Sequence, residues 1–154
     1  MSASGFFLCI NQNLENMELK KILETCLYAK NLSESEHFYT KVLGLKLIRK
    51  EEGRHLFYRC GDSMLLIFNP DHTTEEQTYV NDRPVPLHGA FGAMHVAFAV
   101  DQNEFKDWKS RLKRKSIKIE SSIKWPGGLK SIYFRDPAGN SLEIIESGMW
   151  NIDE

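Results

Sequence analysis

Glu24, His95 and Glu143 are side chains of the kind that grip a divalent cation, and a repeated pattern places them. Glu24 opens the stretch Glu-Thr-Cys-Leu-Tyr-Ala, and His95 opens the matching stretch His-Val-Ala-Phe-Ala-Val. Glu143 lies in Ser-Leu-Glu-Ile-Ile-Glu, which closes the second copy. A neutral imidazole and two carboxylates make a mixed nitrogen and oxygen donor set. Such a set suits Mn, Ni, Co, Zn or Fe, with water in the remaining positions. Open positions are what give a bound ion Lewis-acid chemistry. A single histidine in a strand is more often structural than a ligand. The matched placement in two copies is what points these residues toward one ion.

The elements that must position them read β-α-β-β-β in each copy, over residues 24–69 and 95–146. In the first copy, residues 23–29 read as a strand. Ser33 then opens a helix as N-cap, with Glu36 completing a capping box. Phe38, Tyr39, Val42 and Leu43 form its apolar face, and Gly44 stops it. Strands over residues 45–51, 54–60 and 63–69 follow, joined at Glu52-Gly53 and Gly61-Asp62. In the second copy, residues 94–100 form a strand, and Asp101 with Glu104 caps a helix that buries Phe105, Trp108 and Leu112. Strands are expected over 117–121, 129–135 and 140–146, with a Trp125-Pro-Gly-Gly loop before the second of these. The organisation expected is therefore an N-terminal extension at 1–20, with an edge-strand candidate at 6–10. A first module at 21–69, a connecting loop at 70–93, a second module at 94–146 and a tail at 147–154 complete it.

Alternation along the strands assigns faces. His95 shares a face with Ala97 and Ala99, whose small side chains leave room above the sheet. Glu143 goes with Ser141 and Ile145, and Glu24 with Cys26 and Tyr28. Ser131, Tyr133 and Arg135 face the same hollow, and the repeat adds His55, Phe57 and Arg59 from the first half. His88 in the connecting loop and Trp125 in its glycine-rich loop are further candidates for a substrate pocket.

Composition narrows the classes. A chain of 154 residues, 42% apolar and 27% charged, buries roughly 70% of its unfolded surface, in one compact domain or two small ones fused tightly. A net charge of −1 gives no reason to expect nucleic acid. Cys9, Cys26 and Cys60 follow no paired spacing, so a zinc knuckle or redox pair is not indicated. No apolar run approaches a membrane span, and residues 5–10 are too short for a signal-peptide core. The reading is of a cytoplasmic protein.

Two stretches carry a family signature. Asn31-Leu-Ser-Glu-Ser-Glu-His-Phe-Tyr-Thr-Lys-Val-Leu-Gly-Leu resembles the first helix of the vicinal oxygen chelate superfamily, the glyoxalase/bleomycin-resistance/extradiol dioxygenase group. Tyr133-Phe-Arg-Asp-Pro-Ala-Gly-Asn-Ser-Leu-Glu-Ile-Ile-Glu resembles its second module. The resemblance implies an α+β fold of two βαβββ modules forming a U-shaped mixed sheet around one divalent metal, often in a homodimer. It implies Glu24, His95 and Glu143 as ligands, with Glu24 and Glu143 the catalytic carboxylates. Lactoylglutathione lyases carry a fourth ligand on the last strand of the first module, a place taken here by Leu65. The ligand count is thus nearer to the three-ligand transferases that open epoxides.

The function implied is a metal-dependent lyase, isomerase or transferase acting on a small molecule with vicinal oxygens. Whether a thiol such as glutathione takes part is left open. A non-catalytic drug-binding protein of the bleomycin-resistance type is the alternative, and a dioxygenase a second one.

Overall fold

The computed structural model describes residues 17–150, so the edge-strand candidate at 6–10 lies outside the described residues. The first module opens with β1 (Glu24–Tyr28) and α1 (Leu32–His37). The helix is capped by Asn31, whose side-chain oxygen accepts the Glu34 N–H at 3.2 Å. The expected Ser33–Glu36 capping box does not form: Asn31 already holds the orphan donor, and the Glu36 carboxylate accepts from Lys50 Nζ at 2.8 Å. The helix widens into a π-helical turn over Phe38–Val42, where the Leu43 N–H donates to the Phe38 carbonyl at 3.1 Å.

Gly44 ends this helix at φ +79°, a conformation other residues adopt only with strain. The guanidinium of Arg111 lies 3.0 Å from where a Cβ would sit, and its Nε donates to the Val42 carbonyl at 2.6 Å. A cation from the second module therefore satisfies the helix end of the first.

Strands β2 (Lys46–Glu51), β3 (His55–Cys60) and β4 (Ser63–Phe68) complete a four-stranded sheet in the order β1-β4-β3-β2. β1 runs parallel to β4, and the other neighbours are antiparallel. The expected loop at 70–93 carries structure of its own. It holds a one-turn helix, α2 (Pro70–Thr73), and a hairpin of β5 (Thr78–Val80) and β6 (Arg83–Val85). Asn81 and Asp82 turn the hairpin at φ 47° and 59°, the left-handed pair that a two-residue turn requires.

The second module repeats the plan with β7 (His95–Val100), α3 (Phe105–Arg114), β8 (Ser121–Lys124), β9 (Lys130–Arg135) and β10 (Ser141–Glu146). Its sheet has the matching order β7-β10-β9-β8. The expected Asp101 cap is not made by its side chain. The Asp101 carbonyl accepts the Glu104 N–H at 2.9 Å in a preceding turn, and the helix starts at Phe105. The strand expected at 117–121 begins only at Ser121; Ile117 and Ile119 pack on the core ahead of it.

The chain is thus α+β, two βαβββ modules with four-stranded mixed sheets. One face of each sheet packs into a shared core that includes Leu27, Leu65, Ile67, Leu112, Ile132 and Leu142. Phe38 meets Phe134 across the modules with ring centroids 6.5 Å apart. Each such buried side chain contributes about 1.5–3 kcal/mol relative to exposure. The opposite face of the second sheet is left open, with His95, Ala97 and Ala99 exposed, whereas on the first sheet His55 and Leu66 are buried.

Candidate metal centre

Strand alternation delivers the open face of the second sheet. Along β7, His95, Ala97 and Ala99 are exposed while Val96, Phe98 and Val100 pack inward. The register sets His95 beside Ser141 and Ala97 beside Glu143 on parallel β10, and Glu143 beside Tyr133 on β9. Above them lies a cleft of about 790 Å³, walled by Trp125, Pro126 and Trp150.

Within it, His95 Nε2 stands 3.5 Å from Glu143 Oε2. His95 Nδ1 is 3.0 Å from the Ser141 carbonyl oxygen, an acceptor only, so Nδ1 carries the proton. In its neutral form the ring must then present the Nε2 lone pair to a carboxylate, and two acceptors face each other. Among the described residues, Glu143 Oε1 is buried with no hydrogen-bond partner. A proton on Nε2, or a cation held between the two groups, relieves this.

The arrangement fits a divalent ion. Two donors each about 2.1 Å from a common ion at a tetrahedral angle lie about 3.4 Å apart. A ligating histidine normally fixes its other ring N–H on a backbone carbonyl, as Ser141 does here. Tyr133 stacks beside His95, ring centroids 6.1 Å apart. Burial first, then the Glu143 carboxylate, pushes its hydroxyl pKa up, so it stays protonated as a donor.

Glu24 is not with this pair. It lines a separate groove of about 470 Å³ with Thr25, Met64 and the edge of β7. Among the described residues no group of three or more His, Cys, Asp or Glu side chains is gathered where it could hold a metal. One chain therefore brings together His95 and Glu143 and leaves Glu24 on the other sheet.

The register also corrects the place of the missing fourth ligand. Cys26, two residues after Glu24, pairs with Leu66, as Ala97, two after His95, pairs with Glu143. The counterpart of Glu143 is Leu66; Leu65, 1% exposed, belongs to the core.

The remaining expected pocket residues divide among three places. Trp125 and Tyr133 line the cleft, and Ser131 lies buried beneath, its Oγ accepting the Trp125 Nε1–H at 3.0 Å. Arg135 is turned to Glu120, at 3.0 Å, and to the Gly139 carbonyl, at 3.1 Å. On the first sheet, His55 stacks on Phe57 with centroids 4.2 Å apart. His88 packs edge-on to Phe68 and meets the Tyr28 hydroxyl at 2.7 Å. Arg59 is exposed on the same sheet, opposite Met64.

Sequence reasoning missed two supports of the site. Asn140 donates from its backbone and side chain to Asp136, at 2.8 and 2.9 Å, and its Oδ1 accepts the Met94 N–H at 3.1 Å. That bond sets the start of the strand that carries His95. Glu146, 4% exposed, lines the cleft and accepts from the backbone N–H of Lys130 at 2.8 Å. The Asp-Pro-Ala-Gly-Asn run was the signal for the first; nothing in the pattern marked the second.

Comparison with known proteins gives the chain a family and relatives. The family described as the Glyoxalase/Bleomycin resistance protein/Dioxygenase superfamily matches residues 21–144. Metallothiol transferase FosB of Bacillus licheniformis is 27% identical over 132 residues, covering 85% of this chain and 78% of that protein. Lactoylglutathione lyase of Escherichia coli O157:H7 is 31% identical over 130 residues, covering 82% of this chain and 92% of that protein. The crystal structure of lactoylglutathione lyase from Agrobacterium tumefaciens superposes with a TM-score of 0.79 at 40% identity, over 86% of this chain and 98% of that one.

Proposed function

This chain belongs to the glyoxalase/bleomycin resistance protein/dioxygenase superfamily, and we propose that it is a divalent-metal-dependent enzyme acting on a small molecule through two neighbouring oxygens. The observation that carries this reading is the unsatisfied pair, His95 Nε2 and the Glu143 carboxylate, 3.5 Å apart with Nδ1 fixed on Ser141. An ion held there supplies Lewis-acid stabilisation of charge on a substrate oxygen.

The protein groups have definable tasks. His95 and Glu143 hold the ion from the second module, and Glu24 is the third donor. Glu24 and Glu143 are also the carboxylates available to take and return a substrate proton. Tyr133, held protonated, donates to an oxygen that gains charge. Trp125 closes one side of the cleft and limits water there.

Glu24 joins the pair from a second copy of the chain. The second sheet leaves one face open, and within one chain Glu24 lines a different groove from His95 and Glu143. A homodimer that lays the first sheet of one copy against the second sheet of the other forms two complete sites. With Leu66 where a fourth carboxylate would stand, each site has three protein donors. That number favours a transferase-like reaction over a lyase that needs four.

Elemental analysis of the purified protein tests the reading. Stoichiometric metal is expected in the parent and is lost in both His95→Ala and Glu143→Ala. A parent free of metal after loading with Mn, Ni, Co, Zn and Fe overturns it. A screen of 2-oxoaldehyde thiol adducts, epoxides and catechols on the loaded protein then identifies the reaction.

A further inference from the structure

The row of the first sheet that carries Glu24 also carries two cations. Pairing sets Glu24 beside Met64, Met64 beside Arg59, and Arg59 beside Lys46, so one lateral row crosses all four strands. Laterally paired residues of a sheet point to the same side. Leu56 and Tyr58 alternate with Phe57 and Arg59 along β3 and fill the core, so Arg59 lies on the other face, with Glu24. Further along that face His55 and Leu66 are buried, whereas Glu24, Arg59 and Lys46 are exposed. This row is the accessible end of the face.

Neither cation has a carboxylate partner among the described residues, because the nearby carboxylates hold other groups. Asp62, in the turn after β3, takes Lys21 Nζ at 2.9 Å, and Glu36 takes Lys50 Nζ at 2.8 Å. The second sheet differs. Arg135 on β9 is bound by Glu120 at 3.0 Å, and Lys130 Nζ lies 3.4 Å from Glu146 Oε1. In the composite site Glu24 and Glu143 are committed to the ion, and Glu146 keeps Lys130. Arg59 is therefore a guanidinium with its donors unused, and Lys46 adds a second positive charge beside it. A guanidinium presents two parallel N–H groups that match a carboxylate or a phosphonate. Strands about 4.8 Å apart put the Arg59 Cα about 10 Å from that of Glu24, a span that a long side chain and a small ligand bridge.

We infer that Arg59, with Lys46 beside it, is a specificity-determining residue of this site: it binds an anionic oxygen group, carboxylate or phosphonate, at the end of the substrate away from the ion. This rests on the metal-dependent reading with Glu24 as a donor, and adds to it the group that reads substrate charge.

The test is calorimetric binding to the protein loaded with Mn(II). The probes are 5-hydroxy-4-oxopentanoate, its neutral amide and the phosphonate counterpart 4-hydroxy-3-oxobutylphosphonate, which share one hydroxymethyl ketone. At least one of the two anions is expected to bind the parent about tenfold more tightly than the amide, and which one does so identifies the oxygen group. In Arg59→Gln that advantage falls below about threefold, while the amide binds as it does to the parent. Arg83→Gln, which removes an exposed arginine of the β5–β6 hairpin, keeps the advantage in full. Equal affinity of the parent for all three probes, or binding of none, overturns the inference. So does an advantage that survives Arg59→Gln, or one that Arg83→Gln removes as well. Metal content separates the two levels: bound metal with no preference for an anion sinks the role of Arg59 alone, whereas absence of metal after loading sinks the metal-dependent reading with it.

Discussion

The hydroxyl of Tyr39 donates to Asp136 Oδ2 at 2.8 Å, a bond between the helix of the first module and the turn that closes the second. Both residues are buried, and the same carboxylate accepts the backbone N–H of Asn140 at 2.8 Å. Asn140 in turn donates from its side chain to the Tyr28 carbonyl at 3.3 Å. One carboxylate thus ties together the end of β1, the first helix and the entry to β7. Burial and the neighbouring Asp136 push the Tyr39 pKa well up, so this hydroxyl stays a donor. Tyr39→Phe is expected to lower stability by about 1.5–3 kcal/mol, the range for a hydrogen bond to a charged group. Denaturant titration measures this, and a variant as stable as the parent removes the network from the account of the fold.

His55 gives the fold a pH dependence. It is 6% exposed, stacked on Phe57 and edge-on to Phe68, and its Nε2 is buried with no partner among the described residues. Burial lowers its pKa; Arg49 and Arg54 add to that, and Glu51 opposes it. The folded state therefore favours the neutral ring, while the unfolded chain takes up a proton near pH 6.5. Its contribution to stability is full above about pH 6.5 and is lost as pH falls through the lower folded value. Unfolding free energies measured from pH 8 to pH 5 should fall more steeply in the parent than in His55→Phe. Parallel profiles would show that His55 titrates alike in both states.

How much of this could be read beforehand depended on what each pattern encodes. Alternation in His-Val-Ala-Phe-Ala-Val separates small and polar from bulky residues, so the open face of β7 was legible. Alternation reports burial, not pairing, which is why Ile117 and Ile119 looked like a strand: both reach the core, but ladder pairing starts only at Ser121. The hairpin strands β5 and β6 have three residues each, too few for a period, although Asn81-Asp82 was a turn signal. The π-helical turn depends on which carbonyl each N–H chooses, and side-chain spacing does not record that choice. At the site, His95 and Glu143 lie on neighbouring strands of one sheet, so local pattern brought them together. Glu24 lies on the other sheet, and its relation to them is set by how separate sheets meet.

Supplying metal should stabilise the parent and leave Glu143→Gln nearly unchanged, so that their order of stability reverses. Without metal, the parent keeps a buried carboxylate facing a lone pair, and replacing it by an amide relieves that. The variant should therefore be at least as stable as the metal-free parent. With an ion at a hundred times its Kd, the parent gains about 2.7 kcal/mol and the variant gains little. Thermal melts with Mn(II) and with chelator read the crossover. A variant that gains as much from Mn(II) as the parent would place the ion somewhere other than at Glu143.

The register of β4 makes the sharpest contrast between neighbouring positions. Ser-Met-Leu-Leu-Ile-Phe is apolar on both faces, so sequence pattern alone does not say which leucine looks into the site. Pairing with β1 does: Leu66 lies beside Cys26 on the face of Glu24, and Leu65 beside Thr25 with its side chain in the core. Leu65→Glu places a carboxylate among Leu27, Tyr58 and Ile67 with no counter-charge, a cost of several kcal/mol, and the protein should fail to fold. Leu66 is itself only 5% exposed, but it lies outside the shared core, and Leu66→Glu puts the carboxylate at the place that the equally buried Glu143 occupies in the second module. An ion there offsets the charge, so with metal present the chain should fold and its metal affinity should rise about tenfold or more. Circular dichroism and metal titration of the two variants decide the matter. If Leu65→Glu folds and binds metal more tightly while Leu66→Glu does not, the register drawn between β1 and β4 is wrong by one residue.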